Sequence, residues 1–525
     1  MRRVKLVLPW LTGIVILAAL LTILDGKGFS LEGWAAYCLL SGIALAILLV
    51  AWKSLGEEIQ PRWLGIALAV AVILRMGFAL FTSNALPVVG YDTPIQKAGH
   101  LFRDSFKRDE QAWTYALDGE PLVNLLSEPL RSDQYGGLLL LSAGIYRTTG
   151  LEVHRPLLIV VLTATVSAIA VLYTWGFTRK VFGDKAGQIG AWIVVLFPEA
   201  ILLGASQMRE AFLGTAFALA LFGYAFIREG KTRKGALSIA VAVLVLGIPF
   251  SPPFALLTLI TIIIAWMWEG KANLRRTLLV VIPVLLISVV ILGLVINAWQ
   301  EADYVWGNSF EVLIRWFENA GEQWRLTVAA EKSAVIDQIF ALTPSWAHLP
   351  LIVVYGLVQP FLPASILAGG APIWHGIAIW RGVGWFALLP FLLYAPIASL
   401  RSSGWRSLEF YLSIFIWIIA IVASYRAPGY QWDNPRYRAI FLAVQASIAG
   451  WAWVHARRTQ DPWLRRIGIL VAGVSLLFFQ WYLGRETLIP SLSLPLTFAA
   501  IILFFLVVLG LWIASDFRGR KRATP

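Results

Sequence analysis

The chain has 525 residues, 59% hydrophobic and 14% charged, with a mean hydropathy of +0.74. No water-soluble core hides that much apolar surface, so a soluble globule is excluded. The formal net charge of +13 is carried by basic clusters between apolar runs, a membrane-topology pattern that argues against a nucleic-acid partner. The one cysteine, Cys38, lies inside a predicted helix and leaves no disulfide or thiolate metal cluster to form.

Spanning helices need roughly 20 apolar residues each. In chain order they are predicted at 6–24, 31–52, 63–82, 156–178, 189–205, 211–227, 236–250, 254–268, 278–296, 383–400, 408–424, 439–454, 467–483 and 496–515, about 14 in all. The basic stretch Met1 to Lys5 leads into an apolar run with no small-residue cleavage site after Leu24, and is read as a retained first span. The expected fold is all-α, a polytopic transmembrane bundle. Its parts are N-terminal helices (1–83), a first external loop with interfacial helices (84–155), a transmembrane core (156–298), a second external segment (299–381) and C-terminal helices (382–525). The segments "RRVK", "TRKVFGDK", "REGKTRKG", "EGKANLRR", "RSSGWR", "ARRTQDPWLRR" and "RGRKR" fall on one side, the cytoplasmic one, together with both termini. That parity requires no net crossing between 299 and 381, where "WAHLPLIVVYGLVQPFLPASILAGG" reads as a re-entrant hairpin or an extra helix pair. Most of the 30 Asp and Glu residues then lie outside, and long connections of this kind are usually functional.

In the first loop, Thr93 caps a helix with Pro94 in its first turn. At helical spacing Ile95, Ala98, Phe102 and Phe106 form an apolar stripe, with Asp92, Gln96, His100 and Arg103 opposite, as in a helix lying flat on a membrane. Asp92 at its positive end suits a base, a metal ligand or a plain helix cap. Further on, Asp133, Gln134 and Tyr135 precede a short apolar helix, where Asp133 is either its N-cap or a ligand. "FPEAILLGASQMREAF" puts Glu199 in a span and Arg209-Glu210 at the outer start of the next. Arg75, near the middle of its span, needs a buried acid, for which Glu199 is the candidate. Near the second edge, Arg426, Asp433, Arg436, Tyr437 and Arg438 cluster outside. Arginine forks there either bind phosphate or pair with Asp433. Glu311, Arg315, Glu318 and Glu322, interleaved with Trp316 and Trp324, read as an interfacial helix. His100, His154, His348 and His375 lack metal-site spacing and read as structural. No Walker-type loop, GxGxxG on a strand or HExxH occurs.

The "YG" helix ending "YRTTG", the "RPLL" span, the "FGDKAG" turn, the span with "LFPE" and the "RE" opening the next together resemble the GT-C superfamily of polytopic glycosyltransferases. The similar branch is that of protein mannosyltransferases and lipid A aminoarabinose transferases, and the likeness covers about residues 85–230. The acidic residue of that family's first external loop maps to Asp92. The Asp-Glu pair common there is Asp92-Thr93 here, and the usual Tyr four residues on is Gln96.

The resemblance implies a hexosyl- or pentosyltransferase of the cell membrane that moves a sugar from a polyprenyl-phosphate donor to a saccharide, lipid or protein acceptor outside. In it Asp92 and Glu210 are the catalytic candidates. Asp92 takes a proton or holds a divalent cation, and Glu210 orients an arginine or completes a metal site. Gln96, His100, Asp133, Gln134, Tyr135, Arg209, Asp433, Arg436, Tyr437 and Arg438 are the substrate-binding candidates, with Arg209, Arg436 or Arg438 on the leaving phosphate. The cofactor stays open, a divalent cation being one option. A lipid-linked saccharide flippase, or an oligosaccharide polymerase or ligase, are the alternatives.

Overall fold

The computed structural model describes residues 2–56, 60–126, 133, 135–150, 152–270, 340–367, 369–427, 433–486 and 489–523, with isolated positions at 286, 290 and 293. Among the described residues there is helix and loop but no strand. The helices are α1 (Arg2–Leu24), α2 (Leu31–Ser54), α3 (Arg62–Val89), α4 (Pro94–Lys97), α5 (Arg103–Asp118), α6 (Gly137–Thr149), α7 (Leu157–Phe182), α8 (Asp184–Leu196), α9 (Pro198–Gly204) and α10 (Arg209–Arg228). They continue as α11 (Thr232–Leu244), α12 (Pro252–Trp268), α13 (Ser345–Val358), α14 (Leu362–Leu367), α15 (Pro372–Ser402), α16 (Leu408–Arg426), α17 (Asp433–Ala439), α18 (Leu442–Thr459), α19 (Trp463–Glu486) and α20 (Leu494–Ala523).

Eight of these are long and apolar enough to cross a membrane: α2, α3, α7, α10, α15, α16, α19 and α20. Two bent pairs, α8 with α9 (54°) and α17 with α18 (73°), raise the number to as many as ten. Against the expectation of about 14 spans, the structure differs at two places. The run at 6–24 lies within the 23-residue α1, those at 236–250 and 254–268 meet helices of 13 and 17 residues, short of the roughly 20 that a span needs, and 278–296 lies outside the described residues apart from 286, 290 and 293. Within "WAHLPLIVVYGLVQPFLPASILAGG" the chain forms α13 and then α14, neither of them long enough to span alone. Glu311, Arg315, Trp316, Glu318, Glu322 and Trp324 also fall outside the described residues.

The core is built on α7 and α10, which are buried around nearly their whole circumference, as helices apolar on every side must be. Against α7 and α8 packs α18, close enough that a Cβ on Gly450 would come within 2.5 Å of the Ala186 carbonyl oxygen, the small-residue contact typical of membrane helices. By contrast, α20 presents Leu503, Leu506 and Leu511 outward, each more than 60% exposed. Such a face is stable only where lipid replaces water. The chain is thus a multi-pass membrane protein. The N-terminal pair α1–α2 is held to α7 by Arg155, which donates to Asp25 and to the Gly28 carbonyl (2.7 Å).

Candidate functional site

The loop after α3 begins at Gly90. Thr93 caps α4 as expected, its hydroxyl accepting from the Gln96 amide (3.4 Å). The helix does not run on to Phe106. Gly99 adopts a left-handed conformation (φ 79°), and a Cβ there would meet the Ser83 carbonyl oxygen at 2.8 Å. Only glycine takes that turn cheaply. The expected flat helix is therefore two pieces, α4 and α5, folded back on the end of α3. The Gln96 side-chain oxygen accepts from the Tyr91 amide and from Trp374 Nε1 (2.9 Å), while Tyr91 Oη accepts from the Ala371 amide (3.1 Å). These bonds fasten the loop to the start of α15. Between them opens a cleft of about 490 Å³, with Gln96, Asp104, Trp374, His375, Asp433 and Arg436 in its walls.

Arg436 is the centre of the charge in that cleft. Its Nη1 donates to Asp104 Oδ2 (3.0 Å) and lies 3.6 Å from Asp433 Oδ1, while its Nε lies 3.2 Å from Glu210 Oε1. Three carboxylates thus surround one guanidinium, which leaves two formal negative charges. Glu210 sits in the first turn of α10, where the helix dipole favours an anion. The Arg436 guanidinium also covers the Tyr437 ring at 5.3 Å. Nearby in sequence, Arg209 lies 5.3 Å over the Tyr135 ring, partly exposed, with no hydrogen-bond or ion-pair partner among the described residues.

Other candidates are placed elsewhere. Asp92 is exposed and paired with Lys97, next to the cleft residues Tyr91 and Thr93. Asp133 is not the N-cap of α6, a place that Gly136 takes, but from the loop before it accepts from the Leu139 amide in the first turn (3.1 Å) and lies 3.6 Å from Arg108. Gln134 lies outside the described residues. Arg438 is buried, 3.9 Å from the Trp385 ring centroid, and donates to the Leu357 (3.0 Å) and Gln359 carbonyls. Arg75 does not pair with Glu199. Its Nε donates to Ser167 Oγ (2.8 Å), Nη1 to the Ala71 carbonyl (3.0 Å) and Nη2 to the Val194 carbonyl (3.2 Å), because the break between α8 and α9 frees backbone oxygens there. Glu199 instead accepts from Arg381 Nε (2.6 Å), both side chains being buried.

A second polar centre was not singled out in the sequence. Asp109, 1% exposed, accepts from Tyr146 Oη and Gln207 Nε2 (2.6 Å) and lies 3.0 Å from His154 Nε2 and 3.5 Å from His100 Nε2. Burial pushes its carboxyl up, but the adjacent His100 and His154 imidazoles outweigh it and hold the group well below the usual carboxylate range. His100 is thus committed to Asp109 and to Ser105 Oγ (3.0 Å). Arg108, the preceding residue, donates to the Gln207 carbonyl (2.7 Å), so α5 grips the approach to α10 from both sides of Gln207. The only sequence sign of this was the density of charge in "RDSFKRDEQAW".

Among the described residues no group of three His, Cys, Asp or Glu side chains is disposed to hold a metal ion. The three acids at Arg436 converge on the guanidinium and not on a common point, so they do not form a ligand set for a divalent cation.

No family model matches the chain, and comparison with curated proteins finds no match. Among solved structures it is similar to the archaeal oligosaccharyltransferase AglB from Archaeoglobus fulgidus in complex with an inhibitory peptide and a dolichol-phosphate. The two are 16% identical, with 85% of this chain and 54% of that one covered, at a TM-score of 0.41. The Archaeoglobus fulgidus oligosaccharyltransferase in complex with Zn and sulfate is 14% identical over 81% of this chain and 52% of that one, TM-score 0.44. The form tethered to an acceptor peptide containing the NVT sequon is 15% identical over 81% and 53%, TM-score 0.41. The chain spans about half the length of the structures it matches.

Proposed function

We propose that the chain is a membrane glycosyltransferase that moves a sugar from a polyprenyl-phosphate donor to an acceptor at the extracytoplasmic face, with both termini cytoplasmic. The observation that carries this reading is the cleft in whose wall Arg436 gathers Asp104, Asp433 and Glu210. It opens where the ends of α3, α5, α15 and α17 meet, and helix ends in a membrane protein lie near headgroup height. A donor whose isoprenoid tail stays in lipid presents its phosphate at that depth.

In the reaction, the bond between the sugar C1 and the phosphate oxygen breaks as the acceptor oxygen bonds to C1. The acceptor proton passes to a carboxylate and polyprenyl phosphate leaves. Asp104 and Asp433 line the cleft and are better placed as that base than Asp92, which is exposed on Lys97. Of the three arginines considered for the leaving phosphate, Arg436 is compensated by acids and Arg438 is spent on carbonyls. Arg209, stacked on Tyr135 with its N–H groups uncommitted among the described residues, is the one whose fork is available.

A flippase would line a path with charge, whereas Arg75, Arg438 and the Arg381–Glu199 pair are each tied to carbonyls or to one another inside packed helices. The test uses purified full-length protein in liposomes with synthetic polyprenyl-phosphate hexoses and pentoses, scoring release or transfer of sugar. Activity in the wild type is expected to fall by about 10²-fold or more in Asp104→Asn or Asp433→Asn, and Arg209→Ala is expected to raise KM for the donor. Absence of activity with every such donor, or wild-type rates in both carboxamide variants, would overturn the reading.

A further inference from the structure

Arg75 is completely buried and, on the direct contacts, has no acid beside it. Its three hydrogen bonds use Nε, Nη1 and Nη2 once each, so one hydrogen remains on each terminal nitrogen. At the Arg436 cluster, Glu210 meets the guanidinium through Oε1, while its Oε2 is buried without a hydrogen-bond partner among the described residues. An unpaired carboxylate oxygen at that depth is costly.

Both groups line one small cavity of about 30 Å³, which also touches Ser167, Val194, Gly214 and Ala439. Its place in the fold is specific. The break between α8 and α9 supplies Val194 and Ala200, and the break between α17 and α18 supplies Ala439 and Ile440, so the two discontinuous helices kink around the same point. Arg75 has no slack there, since a Cβ on Gly204 would lie 2.8 Å from its Cδ and 2.7 Å from Ser167 Oγ. The volume exceeds the roughly 10–15 Å³ that one water needs, and the lining offers the two or more polar partners that hold a buried water.

We propose that this cavity is a site for a buried water that joins the Arg75 guanidinium to Glu210 Oε2, making Arg75 a positioning residue for the Glu210–Arg436 contact. Glu210 is then held from both sides, directly by Arg436 outside and through water by Arg75 inside. The charge compensation that a mid-span arginine requires is supplied by Glu210, one water away.

The test is a double-mutant cycle on the full chain in one detergent and at one scan rate, read as thermal melting and so independent of any transferase activity. Arg75→Met is expected to melt well below wild type, and Glu210→Gln is expected to lower the melt less in the Arg75→Met background than in wild type, because there only its contact with Arg436 is left to lose. Arg75→Gln, which removes the charge but keeps hydrogen-bond donors, is expected to show the same non-additivity with Glu210→Gln and covers the case in which Arg75→Met does not fold. Additive losses in the methionine cycle, or in the glutamine cycle where the methionine variant does not fold, would overturn the proposal, since an arginine serving only Val194, Ala71 and Ser167 is indifferent to Glu210. An experimental density map that orders this cavity without a peak in hydrogen-bond range of both side chains would overturn it too.

Discussion

Arg436 Nη1 donates to Asp104 Oδ2 at 3.0 Å although 332 residues separate them in the chain. The same guanidinium faces Asp433 and Glu210, so removing it leaves three carboxylates without their counter-charge. Arg436→Met is expected to destabilise by about 3 kcal/mol or more, since an acid as buried as Glu210 cannot return to water. Asp104→Asn should cost less than about 1 kcal/mol because Asp104 is half exposed. Thermal melts of the two variants check the order, and equal losses would contradict the burial argument.

Glu199 and Arg381 form a buried pair joining α9 to α15. Breaking one partner is expected to cost about 3–5 kcal/mol, whereas replacing both by apolar residues of similar size is expected to recover most of it. Arg381→Met alone should therefore express poorly, and Arg381→Met with Glu199→Leu should melt closer to wild type. A double variant less stable than the single one would show that the pair does more than satisfy itself.

For Asp109 the sign follows from its lowered folded value. A carboxylate favoured in the folded protein stabilises fully above the ordinary Asp value near about 4 and loses that stabilisation as pH falls from there through the folded value. Asp109→Asn is expected to melt below wild type at neutral pH, with the gap narrowing only below about pH 4. The groups facing it are His100, His154, Tyr146 and Gln207. Paired melting curves across the acid range are the measurement, and a gap independent of pH would refute the assignment.

Gly450 faces the Ala186 carbonyl oxygen so closely that Gly450→Ala must push α18 away from α8. Overpacking of this kind costs about 1–3 kcal/mol. Gly468→Ala, where a Cβ meets nothing within 4 Å, is the control and should leave the melt unchanged or raised. Loss at both positions would point to backbone flexibility as the cause.

Much of this protein was legible in the linear chain, because bilayer spans are set by local composition alone. The all-α class, the apolar helices at 156–178 and 211–227 and the Thr93 cap follow from hydropathy and capping, each of which needs only neighbours in sequence. Asp433, Arg436 and Glu210 were identifiable as ionic groups out of place near the membrane. What the chain could not reveal is which of them meet. Glu199 has Arg381 in place of Arg75, Asp104 joins Arg436 where Asp92 does not, and Asp109 draws in two histidines that spacing had left scattered. Those pairings depend on where helices break and fold back, at Gly99, between α8 and α9 and between α17 and α18. A buried charge takes whichever opposite charge or freed carbonyl the packing brings within about 3 Å, and that distance exists only once the helices are assembled.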